Sequence, residues 1–402
     1  MGAGASCTTT RRDTPGVIAR GDPLALAQAL VRVDSRNPAL VPGAPGEREV
    51  AALLAEVLRA WDFRVEIQHV DAGRPNVLAR IGPPGAGVLM FNGHLDVVST
   101  QGMTHAPFGA EIVDGRLHGR GAADMKGGIA AMCAAAVRAH DTGSLGTEVL
   151  IAAVADEEHE SLGTRAMLDA GVRADAAIVT EPTNLAICPA HRGFAWIRVA
   201  VQGQAAHGSR YDLGVDAIRH AGLLLAELDA LECDVLPLRT HALLGRGSLH
   251  ASVIDGGTGL STYPEHCSLT LERRMLPGER AADAMAEVDA ACERVRARTP
   301  AFAATVTLLF SAGASDVSPD APVVRALRRA LGASGEPATI EGMSAWTDAA
   351  LLNDAGIPAI CFGPGDIAVA HAAAESVDIL DIERATQVLV QLAAQWPGHG
   401  HG

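Results

Sequence analysis

The run at residues 87–100, GVLMFNGHLDVVST, most constrains what this chain can fold into. Val88 to Phe91 are apolar and lead into Asn92-Gly93-His94-Leu95-Asp96. An apolar run of this length between turn signals reads as a buried strand. Its polar residues then fall at the carboxyl end, where open α/β sheets form ligand sites. His94 and Asp96 are two residues apart, so on an extended backbone they point to the same side. Such a pair is a metal ligand with an orienting carboxylate, or an acid–base pair. Taken alone, it is also what any surface His beside an Asp looks like. Its weight comes from residues further along.

The same placement recurs. Strand-like segments at 64–70, 76–81, 87–94, 148–155, 176–179, 338–341 and 358–362 are interleaved with helical segments at 22–33, 45–61, 124–140, 162–170, 322–331, 346–355 and 382–396. That alternation predicts a three-layer α/β/α sandwich. The pattern changes near His191. Strands at 194–201, 247–255, 267–274 and 303–310, with helices at 214–231 and 280–298, follow the order β-α-β-β-α-β. This is the split βαβ, ferredoxin-like unit. The expected division is therefore 1–190 and 313–402 for the α/β domain, with 1–18 as a disordered tail and 191–312 as an inserted domain.

Ligand-type residues stand at or just after the strand ends: His94 and Asp96, Asp124, Glu157 and Glu158, Glu181, and His371. Each one singly reads as a helix cap or a loop acid. If the strands share a sheet, their carboxyl ends meet in one crevice. Carboxylates gathered there would repel one another unless a cation sat among them. Two imidazoles and several carboxylates suit Zn²⁺, and the set is large enough for two ions, one carboxylate bridging.

Composition excludes other classes. A formal net charge of −15 repels phosphate backbones and anionic membrane surfaces, and aromatics at 3% leave few platforms for stacking bases. No nucleic-acid partner is expected. No apolar run approaches the roughly 18 residues of a membrane span, so no membrane association is expected either. The seven Cys are odd in number and show no CxxC spacing, which fits a reducing cytoplasm rather than a disulfide framework. Arg11-Arg12 precedes no apolar segment of an export signal, and Met1-Gly2 to Ser6 matches a myristoylation pattern that any Gly/Ala/Ser tail matches easily.

Five motifs in order carry a resemblance: Gly93-His94-Leu95-Asp96-Val97-Val98; the ten residues from Gly119 to Gly128 around Asp124-Met125-Lys126; Asp156-Glu157-Glu158; Thr180-Glu181-Pro182-Thr183; and Gly363-Pro364-Gly365 followed by Ala370-His371. Together they resemble the M20 metallopeptidase family, nearest its acetylornithine deacetylase and succinyl-diaminopimelate desuccinylase branch. The resemblance implies a dizinc site, with Co or Mn as possible substitutes, and a lid domain of the split βαβ kind. It assigns His94, Asp124 and Glu181 to one ion, and Asp124, Glu158 and His371 to the other. Asp96 would orient His94, Glu157 would be the general base, and a cis peptide bond would follow Asp124.

Two lid residues enter through the same resemblance. His207 would reach the partner subunit's site and stabilise an oxyanion, which implies a homodimer through the lid. Arg274 would grip a substrate carboxylate. The implied activity is hydrolysis of a small N-acyl amino acid, with a dipeptidase or carboxypeptidase on the same machinery as the alternative. The chain departs from the family at Ser261, where Asn is common, and at Ala374-Glu375, where Asp-Glu is common. Both bear on the acyl-group preference.

Overall fold

The computed structural model describes residues 18–71 and 73–397; the expectations for the amino-terminal tail lie outside that range. Among the described residues the largest sheet has nine strands. Its centre is parallel: Val88–His94 lies between Glu148–Val154 and Ala176–Val179, and Ala359–Cys361 pairs with Ala176–Val179. Antiparallel strands Arg64–Asp71 and Arg74–Ile81 extend one edge. The four parallel strands therefore end along one rim.

The apolar strand sequences are buried on both faces, as parallel strands under two helical layers must be. Leu89, Phe91, Val149, Ile151, Ala153 and Ile178 join one core with the helices Pro23–Val31, Arg48–Ala60, Gly127–Asp141, Pro322–Ala333 and Ile379–Gln395. Met90, Leu150, Ala152, Val154, Ala177 and Val179 point the other way, toward Met167 of helix Leu162–Asp169 and Leu352 of helix Ala349–Asp354. Alternate residues of one strand thus build two separate cores, which defines the three-layer α/β/α sandwich.

The second architecture is a four-stranded antiparallel sheet in the order Ser248–Gly256, His266–Met275, Gly193–Gln202, Ala303–Ala312. Helices Ala217–Ala230 and Ala281–Arg298 pack on one face through Ala195, Ile197, Val199 and Val201. Chain order and strand order are those of a ferredoxin-like unit. Each residue from Phe194 to Gln202 is paired on both sides, by His266–Met275 and by Ala303–Ala312, so this first strand is central.

Several elements differ from the sequence expectation. Strand Ile187–His191 was not expected; it pairs with Ser315–Asp316 and Ile340–Met343 beside the inserted unit. Its Pro189 cannot donate to a ladder and hides the strand signal. The helix expected from residue 124 begins at Gly127, because Ala122–Lys126 form a wide turn with non-helical Asp124 and a cis Asp124–Met125 bond. Gly121 enters this turn at φ +82, where a Cβ would stand 2.7 Å from Val97. A three-stranded sheet of Glu111–Val113, Arg116–His118 and Ser376–Asp378 was also not expected.

Candidate metal centre

The rim of parallel strand ends gathers the residues singled out from sequence. His94 closes its strand and is 1% exposed. Its Nε2 lies 3.0 Å from Asp124 Oδ1, 3.9 Å from Glu181 Oε1 and 4.0 Å from Glu157 Oε2. His371 Nε2 lies 3.1 Å from Glu158 Oε1 and 3.3 Å from Asp124 Oδ2. Asp124 thus turns one carboxylate oxygen toward each imidazole. Ligand atoms of His94, Glu157 and Glu181, and likewise of His94, Asp124 and Glu158, all fall within 4.8 Å of one another.

The local chain explains this convergence. Glu157 and Glu158 follow strand Glu148–Val154, and Glu181 follows Ala176–Val179, so sheet register brings both to the height of His94. Helix Gly127–Asp141 comes so close to the second of these strands that a Cβ on Gly128 would sit 2.0 Å from the Thr180 carbonyl oxygen. That close approach places Asp124 over the same rim.

The electrostatics are those of a crowded acidic pocket. Burial pushes the Glu157 and Glu181 carboxyls well above the usual range; His94 opposes this for Glu157, while Glu181 adds to it. Burial and the Asp124 charge raise Glu158 as well. Burial alone would also raise Asp124, yet hydrogen bonds to His371 and His94 hold it below the ordinary value. Burial works against charge on His371, but its bonds to Asp124 and Glu158 lift it to about 10.

These groups fit divalent ions. Four carboxylates and two imidazoles converge where burial disfavours their charge, the condition a cation relieves. His94 Nδ1 lies 2.9 Å from the Asp96 carbonyl oxygen. With an ion bound, the ring would keep its proton on Nδ1 and offer the Nε2 lone pair to the metal.

The Asp96 carboxylate, expected to orient His94, makes its hydrogen bonds elsewhere. That carboxylate is 3.7 Å from His94 Nδ1. It instead accepts hydrogen bonds from the main-chain N–H groups of Glu157 at 3.1 Å and Glu158 at 3.2 Å, and from Asn37 at 2.8 Å. Asp96 fixes the Glu157-Glu158 turn with its side chain and the His94 ring with its carbonyl.

His207 and Arg274 stand apart from this group. His207 is in an exposed lid loop, bridged to Thr262, with Nδ1 2.8 Å from Ser209 Oγ. Arg274 lies on strand His266–Met275, where its Nε donates to Glu272 at 2.6 Å and its guanidinium sits 5.3 Å from the Phe194 ring centre. Among the described residues, neither hydrogen-bonds or ion-pairs with the cluster.

Sequence reasoning missed several supporting residues. Buried Asp156 joins Asn37 and Arg74, and Arg74 also pairs with buried Glu47. Asp348 is buried, accepts from Thr164 at 2.6 Å, and is raised to about 6, chiefly by burial. Asp156 stands in the Asp156-Glu157-Glu158 motif, whereas no motif or periodicity marks Glu47, Arg74 or Asp348.

Fold and cluster together define a metal-dependent amidohydrolase with a dimetal site. The family model for peptidase family M20/M25/M40 matches residues 90–395, and the chain belongs to that family. An acetylornithine deacetylase of Myxococcus xanthus is 32% identical over 354 residues, spanning 85% of this chain and 90% of that protein. One of Proteus mirabilis (strain HI4320) is 31% identical over 348 residues, spanning 85% and 88%. Among solved structures, an M20 family metallo-carboxypeptidase from Sulfolobus solfataricus superposes with a TM-score of 0.77 at 17% identity, covering 94% of this chain and 99% of that one. A dinuclear metal binding peptidase of the M20 family from Bacillus subtilis gives a TM-score of 0.69 at 18% identity, covering 92% and 96%. These two likenesses speak for the fold.

Proposed function

We propose that this chain removes the acyl group from a small N-acyl amino acid, in the manner of the acetylornithine deacetylases it is similar to. The observation that carries the reading is the Glu157 carboxylate, 4.0 Å from His94 Nε2, beside a complete set of ligand-type side chains. His94, Asp124 and Glu181 would hold one ion, and Asp124, Glu158 and His371 the other, with zinc expected and cobalt or manganese compatible with the same donors. Bound there, the ions would polarise the amide carbonyl and acidify the attacking water.

The chain's own groups do the rest. Glu157 takes the proton of the attacking water on its carboxylate and returns it to the leaving nitrogen. Burial, which holds that carboxyl well above its ordinary value, makes it a stronger base once ionised. Asp96 keeps Glu157 in place through the main chain. Arg274 would bind the substrate carboxylate as a planar fork, releasing Glu272 to do so. His207, exposed on the lid, would complete the site of a second copy and steady the oxyanion, making the working form a homodimer through the lid.

The cytoplasm is the proposed location: Cys133, Cys188, Cys267, Cys292 and Cys361 are buried free thiols. Among the described residues no helix is long and apolar enough to cross a membrane. The test is release of free amine from a panel of N-acetyl and N-succinyl amino acids and of dipeptides. Preferred turnover of an acyl amino acid supports the reading. Dominant dipeptide turnover replaces it with the peptidase alternative.

A further inference from the structure

The three-stranded sheet sets residues 116–118 against 376–378, and beside it lies a buried ion pair with no part in the chemistry above. Arg120 is 2% exposed and Glu375 0%. Arg120 Nη1 donates to Glu375 Oε2 at 2.5 Å. The other Glu375 oxygen accepts the main-chain N–H groups of Ala123 at 3.1 Å and Asp124 at 3.2 Å. Arg120 reaches the opposite way, donating through Nη2 to the His371 carbonyl oxygen at 3.3 Å and through Nε to the Ser99 carbonyl oxygen at 3.0 Å. One buried pair therefore holds the backbones of Asp124 and His371, which lie far apart in sequence. No corresponding bond to His94 or Glu181 is made by either member among the described residues.

We infer that Arg120 and Glu375 are positioning residues for Asp124 and His371, and thereby set the affinity of the ion those two ligands share. This rests on the dimetal reading given above. It also gives Glu375 a role in seating a ligand loop rather than in choosing the acyl group. The loop carrying His371 is the more exposed of the two, and His371 itself holds a positive φ of 61°.

A purely structural pair and a positioning pair behave differently on replacement. Exchanging both members of a buried ion pair for apolar residues strands no charge and is often neutral for stability. Arg120→Met/Glu375→Met thus strands no charge while removing the ties to Asp124 and His371. Arg120→Lys keeps the charge on Glu375 but loses the planar fork. The experiment is equilibrium dialysis of the metal-free full-length chain against Zn²⁺, with thermal unfolding of each variant alongside. In the parent we expect two ions. In both variants we expect one of the two Kd values to rise about 10- to 100-fold, the range for groups that orient metal ligands, and the other to rise less, because Asp124 faces both ions and His371 only one.

Turnover at saturating Zn²⁺ should fall in kcat with little change in KM. Folded variants whose two affinities both match the parent overturn the inference, as does an equal weakening of both ions. A parent chain that binds no second ion instead overturns the dimetal reading itself.

Discussion

The Asp96 carboxylate accepts the main-chain N–H of Glu157 at 3.1 Å, so the residue that follows the first ligand strand fixes the position of the acid beside the second. Asp96→Ala should leave the half-buried main-chain N–H groups of Glu157 and Glu158 without their acceptor and remove one of the two acceptors of the Asn37 amide. We expect activity or metal affinity to fall about 10- to 100-fold. Asp96→Asn keeps one acceptor oxygen and should lose less. Steady-state kinetics with parallel metal analysis checks the order; equal loss in both variants would speak against the hydrogen-bonding role.

Arg274 now spends its Nε on Glu272 and its face on Phe194. If it grips the substrate carboxylate, Arg274→Ala removes a charged hydrogen bond worth about 1.5–3 kcal/mol, which raises KM roughly 10- to 100-fold while kcat changes little. The comparison to make is with a substrate amide lacking the free carboxylate. That substrate should be indifferent to the substitution.

His207 makes a complementation experiment possible. His207→Ala should lower kcat about 100- to 1,000-fold, the usual cost of an oxyanion donor. Mixed with Glu157→Ala chains, it should regain activity, because the mixed dimer has one site with both residues intact. Failure to regain activity, in mixtures shown to exchange subunits, would mean that His207 does not act across the dimer.

His191 governs part of the acid stability. Burial drives its imidazole down to about 4, opposed only by its bond to the Arg192 carbonyl oxygen, and its Nε2 is buried without a partner among the described residues. The unfolded chain binds this proton near pH 6.5, the folded chain only near 4. Stability from this group is therefore intact above about pH 6.5 and lost as pH falls toward 4, by about 3 kcal/mol in all. His191→Phe should remove that slope, and its advantage over the parent should grow between pH 6.5 and 4 in denaturant titrations. Parallel stability curves for the two proteins would contradict the assignment.

Much of this was legible because the chemistry follows the sheet. Val88–His94 and Glu148–Val154 are apolar runs that end in ligand-type residues, and parallel register alone brings those ends together. The β-α-β-β-α-β order of the inserted unit likewise follows from periodicity and turns. What escaped was non-periodic. Asp348 and Glu375 are single acids in irregular segments, and nothing local says that one meets Thr164 and the other the Asp124 turn. Ile187–His191 escaped because Pro189 interrupts the strand pattern. The helix expected at 346–355 starts only at Ala349, since the Trp346 indole is held by the Gly313 carbonyl oxygen and Thr347 and Asp348 turn into the core.

In this pocket Asp124 serves both imidazoles, and Glu157 stays free to move a proton. The most direct test is stepwise return of Zn²⁺ to the chelated protein, recording ions bound and amine released from an N-acyl amino acid. The parent should lose turnover on chelation and regain it as the protein approaches two ions per chain, while Glu157→Gln should bind the same two ions and show turnover lower by about 100- to 10,000-fold. Turnover that survives complete metal removal, or a Glu157→Gln chain that turns over like the parent, would contradict it.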